Sequence, residues 1–201
     1  MPNIIMCDPK GGNPYEIARK ILARTITEYI DPDITSLGSS CFRNATSLTV
    51  LQVHAVTSIA GSALENVHVE SLAFPNMISN PGTPGTISYL KKLDYGENFA
   101  SITSNSLPYS NLEHLILRNK SSVVNTSASA MNTTPMKSGG SGCTVYIPKV
   151  LYDHLGDGTS LDYKANSTWA QYDGYGTITW AQIEGSIYET YYADGTPIPS
   201  A

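Results

Sequence analysis

Histidines, cysteines and a scatter of acidic residues are the side chains of this chain best suited to chemistry, and their spacing decides what they can do. His54, His68 and His114 stand far apart and form no HExxH pair, so the zinc-hydrolase pattern is missing. Cys7, Cys41 and Cys143 lack CxxC spacing. An odd, scattered set is a poor metal site and a poor disulfide framework, so reduced thiols are expected. Asp153, Asp157 and Asp162 surround Gly156 and Gly158. That spacing is not a calcium loop, and Asp-Gly turn chemistry accounts for it. Gly11-Gly12 and Ser138–Gly142 lack the Lys-Ser/Thr of a phosphate loop. No nucleophile, base and orienting group are brought together, so neither an enzyme nor a cofactor is expected.

The bulk composition narrows the partners. Charged residues make up 14% of the chain and hydrophobic ones 41%, with a net charge of −5. A nucleic-acid partner needs a basic patch to neutralise phosphates, and no Lys/Arg cluster exists. No apolar run approaches the roughly 18–20 residues of a membrane span. The leading MPNIIMCDPKGGN has no basic segment followed by an apolar one, so no secretory signal is expected. The sequons at Asn44 and Asn166 then carry no meaning as glycosylation sites.

The elements come from a repeat. Ile34-Thr-Ser-Leu37-Gly-Ser-Ser-Cys41-Phe42-Arg-Asn44 aligns with Val56-Thr-Ser-Ile59-Ala-Gly-Ser-Ala63-Leu64-Glu-Asn66. An L-x-x-L-x-V skeleton recurs as Leu48/Leu51/Val53, Val69/Leu72/Phe74, Leu90/Leu93/Tyr95 and Leu112/Leu115/Leu117, with a weaker copy at Ile26/Tyr29. Starts at 26, 48, 69, 90 and 112 are 21 or 22 residues apart, inside the range of leucine-rich repeats. Alternation at 51/53, 72/74, 93/95 and 115/117 is that of a short strand with one buried face. One coil cannot bury its own stripe, so coils must stack and their strands pair in parallel. Five coils at that strand spacing give a sheet roughly 20–25 Å wide. Cys41 shares its repeat position with Ala63, which places it in the core and removes it as a nucleophile for His54. In the third coil, Ile78-Ser-Asn-Pro-Gly-Thr-Pro-Gly-Thr86 stands where the return leg should be and reads as an irregular loop.

The fold class is thus an α/β repeat solenoid with a narrow parallel sheet. Residues 1–24 form an arm and a capping helix, with Asn13 as cap and Pro14 in the first turn. Residues 25–119 are the repeats. Residues 120–186 form a mixed C-terminal cap, with a strand at Thr144–Ile147, a short helix at Lys149–Leu155 and a last strand at Ile178–Ile183. Eight of the thirteen tyrosines and both tryptophans fall between Tyr146 and Tyr192. Aromatics suit a lid over a last coil. Residues 187–201 read as an exposed tail, with Tyr188, Tyr191 and Tyr192 free for an assembly interface.

The pattern I/V-T-S-L/I-G-x-x-A/C-F-x-N-x-x-S-L-x-x-L-x-V/F-P resembles the BspA-like leucine-rich repeats of bacterial surface proteins. Leu115-Ile-Leu-Arg-Asn119, Thr134-Pro135, Cys143-Thr-Val-Tyr-Ile-Pro-Lys-Val-Leu151, Trp169 and Ile183-Glu-Gly185 resemble the end of BspA-type proteins of phages and prophages of Gram-positive gut bacteria. That resemblance implies a virion component made in the cytoplasm and released by lysis, in a tail, baseplate or head appendage. Its partners would be other virion proteins or copies of itself, and a host cell-surface protein or glycan. A bacterial surface or interaction module is the alternative. The family pattern carries no catalytic residue.

Binding falls to the outward residues of the strands: Glu28 and Ile30, Val50 and Gln52, Ser71 and Ala73, Lys92 and Asp94, His114 and Ile116. This mixed, mildly apolar row lacks the aromatics of a sugar platform and suits a protein partner.

Overall fold

A computed structural model of the chain describes residues 25–80, 84–103, 111–127, 130, 135–137 and 139–199. The arm with Cys7 and the helix expected over 13–24 lie outside the described residues.

Each repeat contributes two short strands. The first set is β1 (Glu28–Ile30), β3 (Val50–Gln52), β5 (Ser71–Phe74), β7 (Lys92–Tyr95) and β9 (His114–Leu117). The second, on the return leg, is β2 (Ser36–Leu37), β4 (Ser58–Ile59), β6 (Ser79–Asn80), β8 (Ser101–Ile102) and β10 (Asn125–Thr126). All pairings among these strands are parallel and step by one repeat. Tyr29 faces Leu51, and Leu72, Leu93 and Leu115 stand in one row. The front ladder falls into two sheets, β1-β3 and β5-β7-β9. The second sheet continues through β11 (Cys143–Ile147) to β12 (Ile178–Gln182), again in parallel.

The inward register follows the skeleton. Leu51, Val53, Leu72, Phe74, Leu93, Tyr95, Leu115 and Leu117 are all buried in one core, with Ile26, Leu48, Val69, Leu90 and Leu112 behind them. Polar side chains tie coil to coil at the same spacing. Thr49 Oγ1 donates to Thr27 O (3.2 Å), Thr57 Oγ1 to Thr35 O (3.2 Å) and Asn76 Nδ2 to His54 O (2.9 Å). The return turns repeat in conformation too. Asn44 and Asn66 both adopt positive φ (61° and 60°), a region asparagine tolerates, and Asn66 Nδ2 donates to Asn44 Oδ1 at 2.8 Å.

Three expectations need correction. The third coil does have a return strand, since Ser79 of β6 pairs with Ser101 of β8. Beyond it, Pro84 O and Thr86 O accept from Leu64 N (2.7 Å) and Asn66 N (2.9 Å), the bonds that Ala63 O and Glu65 O give the coil before. Pro-Gly signals turns, but it does not forbid a stacked coil whose carbonyls stay in register. Gly85 is required there: its φ is 104°, and a Cβ would come within 2.6 Å of the Glu65 backbone. The repeat also runs past Asn119, because β10 pairs with β8. Cys41 is only half-buried, packed against the core with its Sγ 3.9 Å from Ala63 O. It sits on the first described return leg, which has a described neighbour on one side alone.

After β11 come α1 (Lys149–Tyr152) and α2 (Ser167–Asp173). The first begins after Pro148, as expected, but is shorter. The second was unforeseen, although Asn166 announces it. Its side chain accepts from Thr168 N and Trp169 N, so the sequon residue is a helix cap. Helix α2 drops Trp169 into the core, where Nε1 donates to Val124 O at 2.7 Å and the ring meets Tyr163 edge-on. The Tyr163 hydroxyl accepts from Val124 N at 3.1 Å, and burial raises its pKa.

Candidate functional site

The front ladder aligns the outward residues in rows. Glu28 pairs with Val50 and Ile30 with Gln52; Ser71, Lys92 and His114 form one row, and Ala73, Asp94 and Ile116 the next. They do not share one environment. Glu28, Ile30 and Val50 are exposed, Ile30 by 54%. Gln52, Lys92 and His114 are half-buried. Asp94 and Ile116 are buried, at 1% and 0%, so these two cannot meet a partner.

The chain's own end covers them. Residues 187–199 are not an exposed arm. They leave β12, turn through a 3-10 segment at Ile187–Glu189 and run back across the ladder. Tyr188 and Ala193 pack on Ile116 and Ile183, with Tyr146 beside them. Tyr191 and Pro197 then form an antiparallel bridge. Of the three tyrosines assigned to an assembly interface, Tyr188 is buried, Tyr192 half-buried and Tyr191 exposed. The covering segment belongs to the same chain, so burying this row costs no association entropy.

Arg118 holds the strap. It follows Leu117 at the end of β9. Its Nε and Nη2 form a two-pronged pair with Asp94 (2.8 and 2.7 Å). Its Nη1 donates to Tyr188 O (2.7 Å) and its Nη2 to Tyr191 O (3.0 Å). The guanidinium lies 5.2 Å from the centre of the Tyr192 ring. Asp94 Oδ2 also accepts from Ala193 N (3.0 Å). Burial pushes the Asp94 carboxyl up to about 6, against the pull of its Arg118 and Ala193 hydrogen bonds. The far end is latched at His54, whose Nε2 lies 2.6 Å from Asp194 Oδ2, with the His54 and Tyr192 rings edge to face at 5.0 Å. Burial raises the Asp194 carboxyl, but bonds from His54 and Thr196 outweigh it and hold the group below its ordinary value. His114 packs beside the Tyr146 and Tyr188 rings, which meet each other edge to face, and burial followed by the nearby Lys92 charge lowers its pKa.

The Cys143 thiol is buried at the start of β11, and burial pushes its pKa up to about 12. Among the described residues no group of three or more His, Cys, Asp or Glu is placed to hold a metal. Asp162 spends its carboxylate on Gly158 N and Lys164 N, which is turn chemistry. Among the described residues no helix is long and apolar enough to cross a membrane.

Sequence reasoning missed Arg118, His54 and Asp194. A signal existed for the first: Asp94 and Arg118 are opposite charges one coil apart at outward or adjoining positions of a charge-poor ladder. Nothing in the spacing marks Asp194 as a partner for His54, 140 residues away.

The repeat also decides the family. The family model for the BspA type leucine rich repeat region matches residues 24–135 in six copies. The chain belongs to the BspA-type leucine-rich repeat family. The matched range runs past Asn119, as does the return ladder at β10. A comparison with curated proteins finds no match.

Proposed function

We propose that this BspA-type chain is a non-enzymatic attachment module, an α/β solenoid that binds a protein partner through the uncovered part of its front ladder. The observation that carries this reading is the contrast along one face. Asp94 and Ile116 are covered by the strap, whereas Ile30 and Val50 stay exposed beside Glu28 and Gln52. Exposed apolar side chains set diagonally on paired strands, with Glu28 and Gln52 opposite them, are the composition of a protein interface. Residues 143–183 serve as the lid of the last coil, with Trp169 and Tyr163 in its core.

On this reading the chain sits on a phage particle, in a tail, baseplate or head appendage. The support is the likeness of Cys143–Leu151, Trp169 and Ile183-Glu-Gly185 to the ends of phage BspA-type proteins. Its partners are then other virion proteins or further copies of the chain, with a host surface protein or glycan as the outer target. A second reading, a bacterial surface or interaction module, is favoured by the family match itself. Mass spectrometry of purified particles separates the two: the virion reading requires the chain at stoichiometric amounts. Ile30→Asp with Val50→Asp should leave the fold intact and abolish incorporation or self-association. Unchanged incorporation would move the attachment surface elsewhere.

A further inference from the structure

A second surface of the ladder carries its own chemistry. The inward residues Val69, Leu90 and Leu112 lie two positions before β5, β7 and β9, and their neighbours on both sides are exposed or half-buried. One neighbouring row is His68, Tyr89 and Asn111; the other is Glu70, Lys91 and Glu113. Backbone bonds hold the second row in step, from Lys91 N to Glu70 O (2.9 Å) and from Glu113 N to Lys91 O (2.8 Å). A groove of about 670 Å³ lies along these rows, lined by Glu70, Tyr89, Lys91, Asn111 and Glu113 among others. That volume is in the range of about 300–1,000 Å³ for small-ligand sites.

The lining is selective about what it can hold. Tyr89 is 51% exposed, and its ring rests on His68 at 4.0 Å between centroids, so an open aromatic surface is held in place from beneath. Asn111 Nδ2 donates to Ser88 O at 2.6 Å, which fixes the amide and aims its oxygen. Lys91 Nζ is 3.1 Å from Glu70 Oε1, so the groove's cation is already neutralised. An anion such as a phosphate finds no surplus positive charge here. A purely apolar ligand would strand the carboxylates and the amide. A neutral ligand with both hydroxyl groups and C–H faces satisfies every feature: the ring takes the C–H face, and the carboxylates and amide take hydroxyls as donors or acceptors.

We infer that this groove is a binding site for a neutral oligosaccharide, with Tyr89 as the stacking platform and Asn111, Glu113 and the Glu70–Lys91 pair as hydroxyl partners. The site is separate from the Ile30/Val50 face and stands whether or not the chain belongs to a particle. The test uses the full chain with three probes, cellotetraose, maltotetraose and tri-N-acetylchitotriose, in saturation-transfer NMR and calorimetric titration. At least one should bind at millimolar strength or better. Tyr89→Ala should weaken that binding by about tenfold, Tyr89→Phe by less than about threefold, and Asn111→Ala by about fivefold, with thermal midpoints unchanged. Failure of all three probes at 10 mM overturns the inference. So does a bound probe whose affinity survives both Tyr89→Ala and Asn111→Ala, or competition by inorganic phosphate. Loss of particle attachment in the Ile30/Val50 variant should leave the titration untouched.

Discussion

The coils at β1 and β3 and those at β7 and β9 are built from one repeat and present the same outward positions, yet they face different surroundings. On β7 and β9 the outward Asp94 and Ile116 lie under the strap; on β1 Ile30, at the corresponding repeat position, is open, and so is Val50 of β3 at the other outward position. Repeat position alone therefore does not make a binding residue. What decides is whether another part of the chain reaches that coil. The strap reaches as far as His54, just after β3, and the uncovered ladder begins there.

Breaking the covered side should have the largest effect. Arg118→Ala leaves the Asp94 carboxylate buried without its counter-charge and releases two carbonyls of the strap. Removing one partner of a buried pair costs about 3–5 kcal/mol, measurable by urea unfolding at pH 7. A loss below about 1 kcal/mol would mean that the strap is not held by this pair. The replacement of both partners, Asp94→Leu with Arg118→Met, should recover much of that loss.

A pH series sharpens the same point. Asp94 sits at about 6 in the fold against an ordinary 3.8. A raised folded value contributes stability that is present below 3.8 and is lost as pH rises through about 6. Folding of the wild type should then take up about one proton between pH 4 and 6, and stability should decline across that window. Asp94→Asn should flatten the slope, whatever its absolute stability. An equal slope in the variant would assign the proton to another group.

The latch at the far end is a smaller contribution. Asp194→Asn should cost about 1.5 kcal/mol at pH 7, as for one hydrogen bond to a charged group. Asp194 is held below its ordinary 3.8. Its contribution is therefore present above that pH and lost as pH falls through the folded value, where wild type and variant should converge. On the open side, Ile30→Ser should cost about 1 kcal/mol or less in thermal melts, because half of the residue is already open to solvent. A loss of 2 kcal/mol there would mean that the surface is covered after all.

The two sides also differ in how well the sequence disclosed them. Every inward position of the front strands was legible, since burial in a stacked coil imposes a spacing that local residues obey. The strand at Cys143–Ile147 is legible for the same local reason, with alternate residues buried. The strap was not. Tyr188, Tyr191 and Tyr192 announce that something will be buried or bound, but not where, because their partners lie 70 or more residues back in the chain. Aromatic content without a period reads equally well as an interface and as a lid. Helix α2 is hidden for a different reason: seven residues with only Trp169 and Tyr172 buried are too few to show a helical period.

The strap also behaves as a ruler. It is gripped at Arg118 on one coil and at His54 three coils earlier, with Asp94 bound in between. A tail of fixed length cannot reach both grips if a coil is added or lost between them. Repeat number is therefore free to vary ahead of His54, where duplication of a 22-residue unit only lengthens the open ladder, and is counted by the tail behind it. In an array that grows and shrinks by copying one unit, the last coils are the ones the molecule measures.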